Sequence, residues 1–244
     1  MWSFFHKLGS PPWLYGIAGS ILRWLVPITL IALAVGICWG LLYTSPDFRQ
    51  GNSYRIIYIH VPAAVVALAG YYVMAIAGAV SLIWRMKMAD IAMKSCAPIG
   101  AALTFLALVT GSIWGKPTWG TWWVWDARVT SMLILLFLYL GVVALYEAFD
   151  NKAAASKACA VLSLVGTVNI PIIYKSVDWW YSLHQPATIK FTDESTIDPS
   201  MFYPLLLMIV AFYGLFTCAM LMNMRVEILA RESRTKWVRK LVGG

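Results

Sequence analysis

Charge is what this chain has least of. Only 12% of its 244 residues are Asp, Glu, Lys or Arg, while 61% are hydrophobic. A soluble domain carries about 25% charge to cover its surface, so a water-soluble globule is excluded. The mean hydropathy of +0.72 agrees. Cysteine is sparse and scattered: Cys38, Cys96, Cys159 and Cys218 each lie inside an apolar run, far from the others. That spacing excludes a CxxC redox or metal pair and leaves small buried apolar residues. No GxxxxGK[ST] loop occurs. The chain therefore has no phosphate cradle of that type, and any ATP must be bound by another subunit. A cleavable leader is not apparent either. The first apolar run starts near Leu22, behind a polar and aromatic lead, and reads as a retained span.

What the chain does have is six stretches without a single charge: 24–46, 56–84, 95–115, 129–146, 158–174 and 199–224. A helix needs about 20 residues to cross the hydrocarbon core. The expected fold is an all-α integral membrane protein, one domain of six transmembrane helices near 22–42, 59–84, 95–114, 129–148, 158–175 and 202–224. Lys and Arg set the orientation. Thirteen fall on the side that holds both termini, with 5 acidic residues; the other side has 6 of each. Both termini are therefore expected in the cytoplasm. The excess of positive charge on that face means topology and attraction to anionic lipid, not nucleic-acid binding. The inner loops 85–94 and 149–157 are too short for a nucleotide-binding domain. The tail 225–244 reads as a basic extension on the membrane surface.

Chemistry is expected on the outer side. Eight of the 13 tryptophans fall there: Trp39, Trp114, Trp119, Trp122, Trp123, Trp125, Trp179 and Trp180. Interfacial anchoring explains one or two per helix end. Trp114, Trp119, Trp122, Trp123 and Trp125, in or beside the loop 115–127, exceed that need. Wide rings with little rotamer entropy to lose suit a large flat apolar ligand. Gly115 and Gly120 allow the backbone to approach it.

The block Trp119-Gly-Thr-Trp-Trp-Val-Trp-Asp-Ala-Arg128 resembles the "WWD" signature of heme-handling membrane proteins. The chain as a whole resembles the heme exporter protein C (CcmC) family of bacterial cytochrome c maturation. Its length, its six spans, His60-Val-Pro62 opening the second span, and Ser176-Val-Asp-Trp-Trp-Tyr-Ser-Leu-His184 all agree. Larger relatives that ligate heme to apocytochromes have more spans and further histidines. The resemblance implies a heme-presenting subunit of the bacterial inner membrane. It would hold heme b non-covalently on the periplasmic face and deliver it to the heme chaperone CcmE. It would work beside the ABC subunits CcmA and CcmB and the small helper CcmD, without conventional enzyme activity.

The residues fit a heme site. His6 lies in the inner lead, whereas His60 and His184 both fall outside, flanking the tryptophans. Imidazole is a common axial ligand, and both are expected to ligate the iron. Pro62 suits a first helical turn, which puts His60 at the start of the second span. Residues 179–185 read as a short interfacial helix with Trp180 and His184 on one face, at i and i+4. Arg55 and Arg128 are candidates for the propionates, because a planar fork binds carboxylate bidentately. Lys116, Lys175, Arg49 and Lys190 are weaker choices. Asp126 either orients a His or Arg or holds the loop, and Asp47 and Gln50 could contribute similarly. The polar stretch 188–200, with Asp193, Glu194 and Asp198, is a candidate docking surface. A heme transporter, a cytochrome b-type redox subunit and a heme-free scaffold remain alternatives. The charge-free runs offer no polar path through the bilayer, which favours capture at the surface.

Overall fold

A computed structural model of the chain describes residues 7, 9–184 and 197–243, and all regular structure among them is helical. Helix α1 (Pro11–Cys38) continues into a π turn at Trp39–Tyr43. A 3-10 turn, Asn52–Ile56, leads into α2 (Ile57–Trp84), and α3 spans Lys87–Trp119. Helix α4 is Ala127–Ala148; α5 (Lys152–Gly166) and α6 (Asn169–Trp179) together make the fifth crossing. Helix α7 is Pro199–Arg231 and α8 is Lys236–Val242. Six of these units are long and apolar enough to cross a membrane, as the charge-free runs predict. His6, Pro186, Lys190, Asp193 and Glu194 lie outside the described residues.

The helix ends follow local chemistry. Asp126 accepts a 2.8 Å bond from Val129 N and caps α4, while Asn151 caps α5 through Ala153 N and Ala154 N. Asp198 caps α7, with Pro199 in the first turn. Gly120, at φ 80°, ends α3 and donates its N–H to Lys116 O.

Several ends depart from the expected spans. The inner loop expected at 85–94 is mostly helix, because α3 starts at Lys87. The basic tail expected from 225 remains part of α7 as far as Arg231. Both extensions have one cause: charges on α3 and α7 neutralise each other. Arg231 reaches Asp90 at 2.5 Å and Glu227 at 2.7 Å, and Lys94 meets Glu227 at 2.8 Å. Tyr146 also donates to Asp90. Paired charges keep these segments helical beyond the ends of the uncharged runs. At the other end of α3, the loop expected at 115–127 shrinks to 120–126, so Trp119 joins Trp114 on the helix.

The core runs between α2, α3 and α4. Small residues, Ala63, Ala67, Ala97 and Ala101, let the helices close in. Tyr139 crosses the gap edge-on to Tyr71, with ring centroids 5.0 Å apart, and donates to Ala67 O at 2.7 Å. Helix α1 leaves Trp24, Ile28 and Ile31 exposed along its outer face. This rigid centre fixes the ends of α2, α3 and α4, where the sequence places its candidate ligands.

Candidate functional site

His60 stands on α2, one turn after the 3-10 segment that starts the helix earlier than Pro62 suggests. Its Nδ1 lies 3.0 Å from Ala107 O and 3.1 Å from Thr110 Oγ1, both on α3. A carbonyl only accepts, so Nδ1 carries the proton and Nε2 keeps its lone pair. Thr110 gives its own hydroxyl proton to Leu106 O, which leaves its oxygen able to accept from the ring. A Cβ on Gly111 would come within 3.0 Å of His60 Cε1, so the ring uses the space a side chain would fill. Trp114 meets the ring edge-on at 5.7 Å. Its Nε1 donates to Gln50 Oε1 at 2.8 Å, tying α3 to the turn that Asp47 organises by accepting from Arg49 N and Gln50 N.

His184 comes from the segment that follows α6. Its ring centroid lies 6.4 Å from that of His60 and 6.1 Å from that of Trp119. The interfacial helix expected here does not form: α6 ends at Trp179, and Trp180 is extended at φ −133° and ψ 157°. Trp180 and His184 therefore share no helix face. A hydrogen-bonded relay sets the loop instead. His184 N donates to Ser182 Oγ at 3.0 Å, and Ser182 Oγ donates to Asp126 Oδ2. Asp126 thus serves the second of its two expected roles, holding the loop while capping α4.

Arg128 joins the loop to α6. Its Nη1 donates to His184 Nδ1 at 3.2 Å, its Nε to Ser176 Oγ at 3.3 Å and its Nη2 to Tyr174 O at 3.2 Å. Guanidinium has no acceptor, so His184 Nδ1 accepts and, in a neutral ring, the proton sits on Nε2. The two imidazoles thus carry opposite tautomers. Arg55 lies at the first loop, where Nη2 donates to Thr44 O at 2.6 Å and Nε is buried without a partner. Trp123 Nε1 is likewise buried and unpartnered. A cavity of about 320 Å³ opens beside Trp119 and Leu183, between Arg49, Gln50 and Ser53 on one side and Thr118 on the other.

The structure therefore assembles His60, His184, Trp114, Trp119 and Arg128, fastened by Asp126. It does not bring every tryptophan to them. Trp122 and Trp125 are 57% and 76% exposed, and Trp123 packs edge-on against Trp125 at 5.4 Å. Trp180 meets Trp179 edge-on at 5.7 Å and is half exposed. Among the weaker cation candidates, Lys116 is occupied by Gly120 O, Lys175 by Asp178, and Arg49 lies over Phe48. Sequence reasoning missed Thr110, Gly111, Ser176 and Ser182. One signal was readable: Ala107, Thr110, Gly111 and Trp114 fall at i, i+3, i+4 and i+7, a single helical stripe.

The donor set fits heme. The ring centroids of His60 and His184 lie 6.4 Å apart, a spacing that would admit one metal ion between two imidazoles with bonds of about 2.0 Å. The walls are aromatic, formed by Trp114 and Trp119. Fold and site together define a six-span helical membrane protein with paired imidazoles against a tryptophan wall at one end of its bundle. The model of the heme exporter protein C (CcmC) family matches residues 4–239, and the chain belongs to that family. It is 51% identical over 242 residues to heme exporter protein C of Escherichia coli K12, covering 99% of this chain and 98% of that one. The Haemophilus influenzae protein of the same name is 46% identical, over 99% and 98%. That of Bradyrhizobium diazoefficiens is 48% identical, over 93% and 86%.

Proposed function

We propose that this chain holds heme b non-covalently on the periplasmic face of the bacterial inner membrane and presents it to the chaperone CcmE during cytochrome c maturation. His60 and His184 are the axial ligands. The observation that carries this reading is their ring separation of 6.4 Å, with the His60 lone pair set by Ala107. The distribution of Lys and Arg, 13 against 6, supports placing this end of the bundle outside.

When bound, heme would supply an iron for imidazole nitrogens and two carboxylates for cationic donors. His60 offers Nε2 without rearrangement, because α3 holds its Nδ1 proton. His184 must change. Were Arg128 to donate to a carboxylate instead, Nδ1 could carry the ring proton and leave the Nε2 lone pair free to hold the iron. Arg55, with its unpartnered Nε, is the second carboxylate donor. Trp114 and Trp119 exclude water from the inner side. Trp122 and Trp125, exposed on the outer side, give a partner protein an apolar rim to dock against.

This arrangement favours capture and presentation at the surface over passage through the helices. Asp90, Lys94, Glu227 and Arg231, on α3 and α7, are paired with one another at the opposite end of the bundle. ATP use and assembly with CcmA, CcmB and CcmD belong to the wider complex. The test is co-purification with CcmE, followed by denaturation and an assay for covalently attached heme. An adduct that depends on Trp119 and His184 supports the reading; an adduct formed equally by Trp119→Ala and His184→Ala overturns it.

A further inference from the structure

The end of the bundle remote from the imidazoles has a cavity of its own. It lies at the far end of α2, 24 residues beyond His60 and thus about 36 Å along the helix. Its volume is about 440 Å³. Five cations line it: Arg85, Lys87, Lys152, Lys157 and Arg231, the last paired with Asp90 and Glu227. Two acids also reach it, but Asp90 is committed to Arg231 and Tyr146, which leaves Glu232 at the rim. Positive charge therefore dominates the space.

Three further observations converge there. The first turns of α3 and α5 both border the cavity, with Lys87 and Lys152 as their first residues, and Met86 gives α3 no side-chain cap. Two helix N-termini add to the positive potential. Arg85 sits in the left-handed region at φ 52° and ψ 35°, the one non-glycine residue with positive φ among those described. A long side chain at a position that glycine would occupy without strain marks a site where the guanidinium matters. Finally, Ile83 and Trp84 just before it are 66% and 64% exposed. An exposed apolar residue and Trp followed at once by Arg is the pattern of a helix end crossing from acyl chain to headgroup level.

We propose that this cavity binds the phosphodiester headgroup of an anionic phospholipid. The cations and helix ends take the phosphate, and Leu82, Met88 and Ile91, which also line the space, take the glycerol and the first acyl carbons. Basic pockets between helices on the cytoplasmic side recognise such headgroups, at about five-fold in affinity for each Lys or Arg near the surface. The apolar lining favours a lipid over a free phosphate ion.

Native mass spectrometry of the delipidated full chain tests this, titrated separately with phosphatidylglycerol, phosphatidylcholine and inorganic phosphate. Phosphatidylglycerol should bind at least tenfold tighter than phosphatidylcholine, and millimolar phosphate should not displace it. The pair Arg85→Gln with Lys152→Gln should weaken that binding about 25-fold. Lys236→Gln with Lys240→Gln, an equal loss of charge on exposed α8, should change it less than two-fold. Arg85→Gly removes the guanidinium while relieving the backbone, so it should bind lipid less and melt no lower. Equal affinity for the two lipids, equal weakening by the two pairs, displacement by phosphate, or undiminished binding in Arg85→Gly would each overturn the proposal.

Discussion

His60 and His184 face one another but are held by opposite means. His60 rises from a packed helix, and a second helix fixes its tautomer through Ala107 and Thr110. His184 sits on a loop held by Ser182 and Asp126, and Arg128 donates to its Nδ1, the nitrogen that would have to carry the proton for Nε2 to hold iron as proposed. One ligand is preset and the other is conditional. A store would fix both. A site that must take up a molecule and give it away gains from one anchor and one ligand that lets go.

This contrast can be broken by substitution. The largest effect should come from the anchor: His60→Ala should cut the heme retained on purification more than tenfold, read as Soret absorbance per chain. Added imidazole should restore heme to His184→Gly better than to His60→Gly, because the loop side is open and the helix side is filled. Equal rescue would remove the asymmetry. Arg128→Ala should come next. It deletes three hydrogen bonds and a charged donor worth about 1.5–3 kcal/mol, so heme affinity should fall at least tenfold in a titration. Arg128→Lys should not restore it, since one ammonium cannot fork to Ser176, Tyr174 and a carboxylate.

Smaller changes sharpen the contrast. Gly111→Ala should displace the His60 ring by a few tenths of an ångström and shift the Soret band. The melting temperature should hold, because Ala favours a helix over Gly by about 1 kcal/mol. Ser182→Ala breaks both bonds of the relay, at about 0.5 kcal/mol each, so it should loosen only the loop ligand and speed heme loss by about five-fold. A dissociation assay into excess apomyoglobin would measure it. Thr110→Val should matter least, about two-fold, since the Ala107 carbonyl still holds Nδ1.

The parts of this site that were legible in sequence are those that depend on residue type. Uncharged runs gave six spans, and three histidines left two on one side. What was not legible depends on where helices stop. Gly120 ends α3 after Trp119, which separates Trp114 and Trp119 on the helix from Trp122 and Trp125 on the exposed loop. Nothing in a cluster of tryptophans reveals that division. Asp90 and Lys94 looked like a loop because their partners, Arg231 and Glu227, lie more than 130 residues away. Trp180 and His184 looked helical by spacing, yet the loop bonds to Asp126 instead. Ser182 and Ser176 carry no signal alone, because a serine becomes informative only when its partner is known.

The central claim is that His60 and His184 share one iron. The most direct measurement is the absorption and electron paramagnetic resonance of heme-loaded protein, wild type beside His60→Ala and His184→Ala. Two axial imidazoles predict a six-coordinate low-spin spectrum that each single substitution abolishes. A wild-type spectrum surviving in either variant would contradict the account.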